Sequence, residues 1–270
     1  MNLRQCLLTK NDCYKAGRSI HPGGIVVHST GANNPTLRRY VQPDDGILGK
    51  NAYGNDWNRS GVGACVHAFI GKTKDDTIAT YQTLPWTMRC WGCASGKNGS
   101  YNNSHIQFEI CEDALTDAAY FKAAFREAAE LCAYLCRLYG ISTDKIVSHW
   151  GAHLQGYASG HGDCDHWLKR FGRTMDDFRR DVQEILGTAE KKPDAGAAET
   201  PGEPQEEVKE VRYEKLKDVK YAPFRKTLDK LIEKGFLAGK GGDGEERVID
   251  LSEDSVRLLV ILDAAGVFDL

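Results

Sequence analysis

No stretch of the 270-residue sequence approaches the ~18 consecutive apolar residues that a membrane-crossing helix requires, so membrane insertion is not expected. Residues 1–10 lack the apolar core and small-residue cleavage site of a secretion signal, which leads us to expect synthesis in the cytoplasm. Charge of neither sign dominates: 35 Lys plus Arg stand against 38 Asp plus Glu, a net of −3, so nucleic acid held on a basic face is not expected either. There is no internal repeat. Cys90 and Cys93 form a pair at metal-clip spacing, but no second such pair exists to complete a four-ligand site. The nine cysteines are an odd number in a chain too long to need stapling, which predicts free thiols; Cys132 and Cys136, four apart in a helical pattern, read as core.

What is present divides the chain. Residues 188–210 hold Pro193, Pro201 and Pro204, seven acids, three lysines, one valine and no aromatic residue. Such a segment buries too little apolar surface to offset its ordering entropy and reads as a flexible tether. It leaves 1–187 as a body able to build one full core and 211–270 as a small appendage. In the body, the apolar run at 24–29, the stretches 64–71 and 76–84, the alternating 105–111 and the short 146–149 read as strands. Apolar residues at 121, 125, 128, 132, 135 and 139 recur at helical spacing, with Thr116 or Asp117 as cap and Gly140 as stop. A second amphipathic helix spans 174–186. The fold class expected is α/β, a mixed central sheet flanked by helices, with a small helical module made of amphipathic stretches 221–235 and 253–266.

Three pieces carry chemistry. His28 ends a strand, Glu109 sits within one, and residues 148–167 crowd His149, His153, His161 and His166 together with Asp163, Cys164 and Asp165. Zinc takes neutral imidazoles plus carboxylate or thiolate, and its catalytic sites use three protein ligands with one open position. That density on a Gly/Ser-rich loop points to a metal, although spacing alone does not choose the ligands. Glu109, between Phe108 and Ile110, is costly to bury without a use or a partner; the alternative is an edge strand with Glu109 in solvent. His67 on a strand, and Trp86, Arg89 and Trp91 ahead of a Gly/Ser/Asn loop, read as a groove wall able to stack on sugar or peptide, or else as ordinary half-buried side chains.

Residues 26–31 (VVHSTG), 105–113 (HIQFEICED), Ser148-His149, the 158–163 stretch ending His161-Gly162-Asp163, and His166-Trp167 together resemble the type-2 zinc-dependent N-acetylmuramoyl-L-alanine amidases, over residues 20–187. These share a fold with peptidoglycan-recognition proteins, and the likeness is nearest to endolysins and autolysins of clostridia and their phages. Several of these also carry the stretches at 33–37 (NNPTL) and 43–46 (PDDG). The resemblance implies Zn2+ bound by His28, His149 and Asp163, with Cys164 as the runner-up third ligand. Glu109 would orient the attacking water, and His161, two residues before the third ligand, would stabilise the oxyanion. His153 reads as supporting or exposed, and His166 as an anchor for its loop. The implied partner is bacterial peptidoglycan, reached after release through a holin or lysis. The tail resembles a carboxyl-terminal module of clostridial amidases, which implies wall targeting; self-association through 211–270 is the other reading. A non-catalytic muropeptide receptor and a zinc peptidase cutting within the stem peptide are the competing functions.

Overall fold

The computed structural model describes residues 1–190, 212–220, 222–238 and 240–252, with 255–256, 259–260, 263 and 268 beyond them. The chain separates into two compact units, 1–194 and 195–270. In the first, the elements run β1 (Leu3–Gln5), α1 (Asp12–Ala16), β2 (Gly24–Ser29), β3 (Ala68–Lys72), β4 (Ile78–Gln82), β5 (His105–Ile110), α2 (Ala118–Tyr139), β6 (Ile146–Ser148), α3 (His149–Leu154), α4 (Asp165–Arg170) and α5 (Met175–Glu190).

β2 is the strand on which the site depends. Ile25, Val26 and Val27 are wholly buried, as expected of a strand covered on both faces, and β2 pairs in parallel with β5 on one side and β6 on the other. β5 pairs in parallel with β3, which meets β4 antiparallel, and β1 lies parallel to β4 at the far edge, so the sheet is mixed in the order β1-β4-β3-β5-β2-β6. Gly24 leaves no room for a side chain: a Cβ there would lie 2.8 Å from the Lys145 carbonyl.

α2 forms where its periodicity places it. Asp117 accepts hydrogen bonds from the amides of Ala119 and Tyr120, and Gly140, at φ 66°, ends the helix. Its buried face, including Phe121, Phe125, Ala128, Leu135 and both Cys132 and Cys136, packs with Phe108 of the sheet, Trp167 of α4 and Phe178 of α5 in the main core. Burying a Phe-sized side chain contributes ~2 kcal/mol, so this aromatic cluster holds the helical layer on the sheet.

The structure departs from the sequence reading in several places. β3 and β4 are shorter than 64–71 and 76–84, and β1 was not anticipated because its three residues are half-buried or exposed. The 148–167 stretch is not all loop: α3 and α4 flank its Gly-rich centre. Not all cysteines are free: Cys13 and Cys65, brought together where α1 packs beside the approach to β3, form a disulfide of sequence separation 52. α5 continues to Glu190, so the first three residues of the expected tether are helical, and the rest of 188–210 lies outside the described residues.

The second unit contains a two-strand ladder that amphipathic periodicity did not disclose. β7 (Arg212–Lys215) pairs antiparallel with β8 (Val248–Ser252), and α6 (Ala222–Glu233) packs on them through Phe224 and Leu228. Leu216, Val219, Ile249 and Val256 complete this core. Of the helix expected over 253–266, residues 255–256, 259–260 and 263 are helical and the others lie outside the described residues.

Candidate metal centre

Three parallel strands end side by side, and their carboxyl ends supply the site, the usual place for one in such a sheet. The register sets His28 of β2 opposite Glu109 of β5 and Val27 opposite Ser148 of β6. His149 follows at once as the first residue of α3, whose amino end Ser148 caps by accepting the Gly151 amide. Asp163 arrives from the loop between α3 and α4, its carbonyl accepting the Trp150 amide at 3.2 Å.

These positions converge. His28 Nδ1 lies 3.1 Å from Asp163 Oδ2 and 3.1 Å from His149 Nδ1, and His149 Nδ1 lies 3.4 Å from Asp163 Oδ1. One donor atom from each falls within 4.8 Å of the others, so the group could hold a metal ion.

The surrounding hydrogen bonds determine which ring nitrogens are bare. The Gln107 amide nitrogen donates to Asn102 Oδ1 at 2.9 Å, an oxygen that also accepts the Gly92 and Cys93 amides. Gln107 Oε1 is therefore the atom facing His28 Nε2 at 2.9 Å, and it accepts that nitrogen's proton. His149 Nε2 similarly meets Ser159 Oγ at 3.1 Å, and that hydroxyl points on to the Cys93 carbonyl. Both Nδ1 lone pairs then face inward beside a carboxylate. Protons on both nitrogens would repel across 3.1 Å, whereas a single divalent cation satisfies all three acceptors, so the donor set fits zinc. Burial alone would raise the Asp163 carboxyl; N–H donation from the imidazoles of His149 and His28 lowers it in the absence of an ion, and a cation would take over that role once both Nδ1 atoms are bare. Replacing Gln107 by Leu should remove the acceptor that orients His28 and weaken zinc affinity about 10- to 100-fold in a competitive chelator titration; unchanged affinity would show that His28 needs no such orientation.

A cavity of about 430 Å³ opens over this group, with Glu109, His161 and His166 on its wall. Glu109 Oε2 is buried with no hydrogen-bond partner among the described residues. Burial first, then the charges of Asp163 and Glu112, push the Glu109 carboxyl well above its ordinary value. The His161 ring stands 5.0 Å from that of His149. Cys164, the alternative third ligand, turns the other way: it is wholly buried, with Sγ 4.0 Å from Met175 Sδ in the main core. Its neighbour Asp163 is the residue that faces the imidazoles.

His166 does more than anchor its loop, since it lines the cavity with Nε2 3.0 Å from Glu112 Oε1. Gln107, Asn102 and Ser159 were also missed; they are ordinary polar residues from three separate segments, and no sequence spacing links them. His153 is half-buried, its ring 5.1 Å from Trp150.

The expected groove wall is corrected in part. His67 is wholly buried, Nε2 donating to the Met88 carbonyl at 2.7 Å and Nδ1 accepting the Gln107 amide at 3.0 Å. It is a core histidine, and Trp86, itself buried, packs over it with ring centres 6.3 Å apart. Both lie under the sheet's end because each finds its polar or apolar partners inside. Arg89 and Trp91 are more accessible, the guanidinium 5.2 Å from the Trp91 ring, but they line a separate hollow with Asp12 and Arg18. Burial lowers the His67 imidazole to about 4. Its neutral form therefore stabilises the fold fully above the unfolded histidine pKa of ~6.5, and this contribution fades as pH falls toward 4. Urea titrations should show about 2 kcal/mol lost through His67 between pH 7 and pH 5. A His67→Gln variant should lack that component, and an equal loss in the variant would refute the assignment.

A profile of the N-acetylmuramoyl-L-alanine amidase family matches residues 18–170. A probable N-acetylmuramoyl-L-alanine amidase of Bacillus licheniformis is 31% identical over 86 residues, 32% of this chain and 22% of that protein, so the match spans about a fifth of the relative's length. Among solved structures, Staphylococcus aureus hydrolase AmiA in complex with its ligand superposes with a TM-score of 0.49 at 22% identity, covering 70% of this chain and 84% of that one. PlyL gives 0.47 at 21%, covering 67% and 96%.

Proposed function

Since the chain belongs to the N-acetylmuramoyl-L-alanine amidase family, we propose that it hydrolyses the amide between the lactyl group of N-acetylmuramic acid and L-alanine in bacterial peptidoglycan, using zinc held by His28, His149 and Asp163. The observation that carries this reading is the convergence of His28 Nδ1, His149 Nδ1 and the Asp163 carboxylate within 3.1–3.4 Å of one another, in one cavity with a buried Glu109 oxygen that has no hydrogen-bond partner among the described residues.

When bound, zinc polarises the scissile carbonyl and makes water a competent nucleophile near neutral pH. Gln107 and Ser159 keep both imidazoles in the tautomer that such binding needs. Glu109 accepts the proton of the attacking water at Oε2, where burial raises its basicity, and returns a proton to the departing alanine amine. His161, on the same wall, donates to the oxyanion of the tetrahedral intermediate; one such donor lowers the barrier by ~3 kcal/mol. His166, paired with Glu112, borders the same cavity.

The second unit, 211–270, serves in this reading to bind the wall, with self-association as the alternative outcome. No described helix is long and apolar enough to cross a membrane, and the enzyme works on the wall after release by a holin or lysis, as an endolysin or autolysin does.

The decisive experiment digests purified cell walls and identifies the newly freed amine. An L-alanine amino terminus, dependent on zinc, is the expected result. A different amino terminus would make the protein a peptidase within the stem peptide. Wall binding with no new amine, despite one zinc per chain, would make it a muropeptide receptor.

A further inference from the structure

The loop after β2 separates the metal cavity from a second one. Thr30 and Gly31 line the first; Asn34, Thr36, Arg38, Lys50 and Tyr53 line the second, a hollow of about 380 Å³. From Gly31 to Asn34 is three residue steps, at most ~11 Å of extended chain. The Asn34 amide also bonds the Glu112 carbonyl at 2.8 Å, and the Glu112 carboxylate meets His166 on the metal cavity's rim. The two hollows adjoin.

Asn34 and Thr36 of the wall belong to the NNPTL stretch, and Lys50 and Tyr53 follow shortly after the PDDG turn; the metal site uses none of these residues. Asn34 Oδ1 accepts the Thr36 amide and hydroxyl at 3.1 and 2.7 Å, which closes the first turn. In the second stretch both acids bond to the loop's own backbone. Asp44 Oδ1 accepts the amides of Gly46 and Gly49, and Asp45 Oδ1 those of Ile47 and Leu48, all at 2.9 Å, while Asp45 Oδ2 takes the Tyr81 hydroxyl at 2.7 Å. The loop is thereby tied to itself, with both oxygens of Asp45 and one of Asp44 engaged. Arg39 is also committed, to the Asn55 carbonyl and the face of Tyr40.

Arg38 and Lys50 remain. Among the described residues neither has a carboxylate within 4.0 Å nor a side-chain hydrogen bond, and no acid lines the hollow. Beside them Tyr53 is 88% exposed, far beyond the other large apolar side chains of the described residues. In a chain of net charge −3, two uncompensated cations and an open aromatic ring over one polar hollow suit a specific chemistry. Cations of this kind take carboxylate or phosphate oxygens, and an exposed tyrosine ring offers a flat apolar face with a polar tip.

We propose that the Arg38–Lys50–Tyr53 hollow binds an anionic, sugar-borne group of the cell-wall polymer, a carboxylate or a phosphodiester, beside the metal cavity. The proposal rests on the wall being the substrate, and it assigns to this hollow the seating of the polymer while the adjoining cavity takes the amide.

The test uses the full chain carrying Glu109→Gln, so that the polymer is not consumed, in pelleting assays with purified walls at 50 and 200 mM NaCl. Walls are used native and after hydrofluoric acid, which removes phosphodiester polymers. Adding Arg38→Ala with Lys50→Ala should raise Kd for native walls about tenfold and flatten the salt dependence. Arg38→Lys with Lys50→Arg should restore binding, and an unaltered melting transition checks the fold. A tenfold difference that persists on stripped walls identifies the carboxylate; one that vanishes there identifies the phosphodiester. A Kd within twofold of the parent on both wall preparations overturns the proposal. Absence of alanine release by the unmutated chain would strike the reaction and leave this binding difference intact, so the two failures are separable.

Discussion

Replacing Glu109 by Gln is expected to lower kcat on purified cell wall about 1000-fold while zinc content and KM stay near those of the unmutated chain. General acid–base catalysis by one positioned group contributes typically 10²- to 10⁴-fold, and Glu109 is asked to serve in both halves of the reaction. Its position supports that demand. β5 sets it directly opposite His28, while Phe108 and Ile110 on either side in sequence are wholly buried. Its Oε2 has no partner among the described residues, so no hydrogen bond seen there is lost when the oxygen is replaced. Gln keeps the volume and removes the basicity. Burial and the nearby carboxylates raise the carboxyl, and a bound divalent cation opposes the contribution of Asp163, leaving a base rather than a permanently protonated acid. The loss should therefore fall on kcat, the signature of an interaction made in the transition state. A variant that retains more than a tenth of the rate with wild-type zinc would remove Glu109 from the mechanism.

Stripping zinc with a chelator is expected to abolish turnover and to lower the melting temperature of the first unit by about 10 °C. The stability effect follows from linkage. A ligand bound only by the folded chain at ~1000 times its Kd adds ~4 kcal/mol, and 1 kcal/mol moves the transition by ~2–4 °C in a domain of this size. The physical origin is local: without the ion, two imidazole lone pairs and a carboxylate face one another at 3.1–3.4 Å in a largely buried cluster. His149→Ala should neither retain zinc nor respond to it in a melting scan, and readdition of zinc should rescue only the unmutated chain. Full activity after chelation, or a melting temperature indifferent to zinc in the unmutated protein, would show that the cluster is not the metal site.

Much of the scaffold under this chemistry was legible from residues alone. The apolar run of β2, the alternation of β5 and the capped periodicity of α2 are local patterns, and local patterns survive in the fold because burial rewards them where they stand. His28 and His149 were readable for the same reason: each closes a short apolar strand, and strand ends in a parallel sheet share one edge. Between the adjacent Asp163 and Cys164, both of which suit zinc, only the family resemblance favoured Asp163. The turn between α3 and α4 directs one to the imidazoles and the other into the core. His67 and Trp86 looked available and are buried. The β7–β8 ladder escaped notice because its strands are short and Ile249 is their one buried residue.

The composition, the periodicities and the clustered ligand-type residues by themselves determined an α/β body with a candidate metal site and a separate small tail. Tertiary structure alone decided that Asp163 faces the histidines while Cys164 enters the core, which ring nitrogens are left bare, that Cys13 reaches Cys65, and that Arg38 and Lys50 stand without acids among the described residues. The reason is physical. Burial patterns are written every two or four residues along a chain, whereas the direction of a loop side chain and the partner of a polar atom depend on segments far apart in sequence, and these are set only when the core closes.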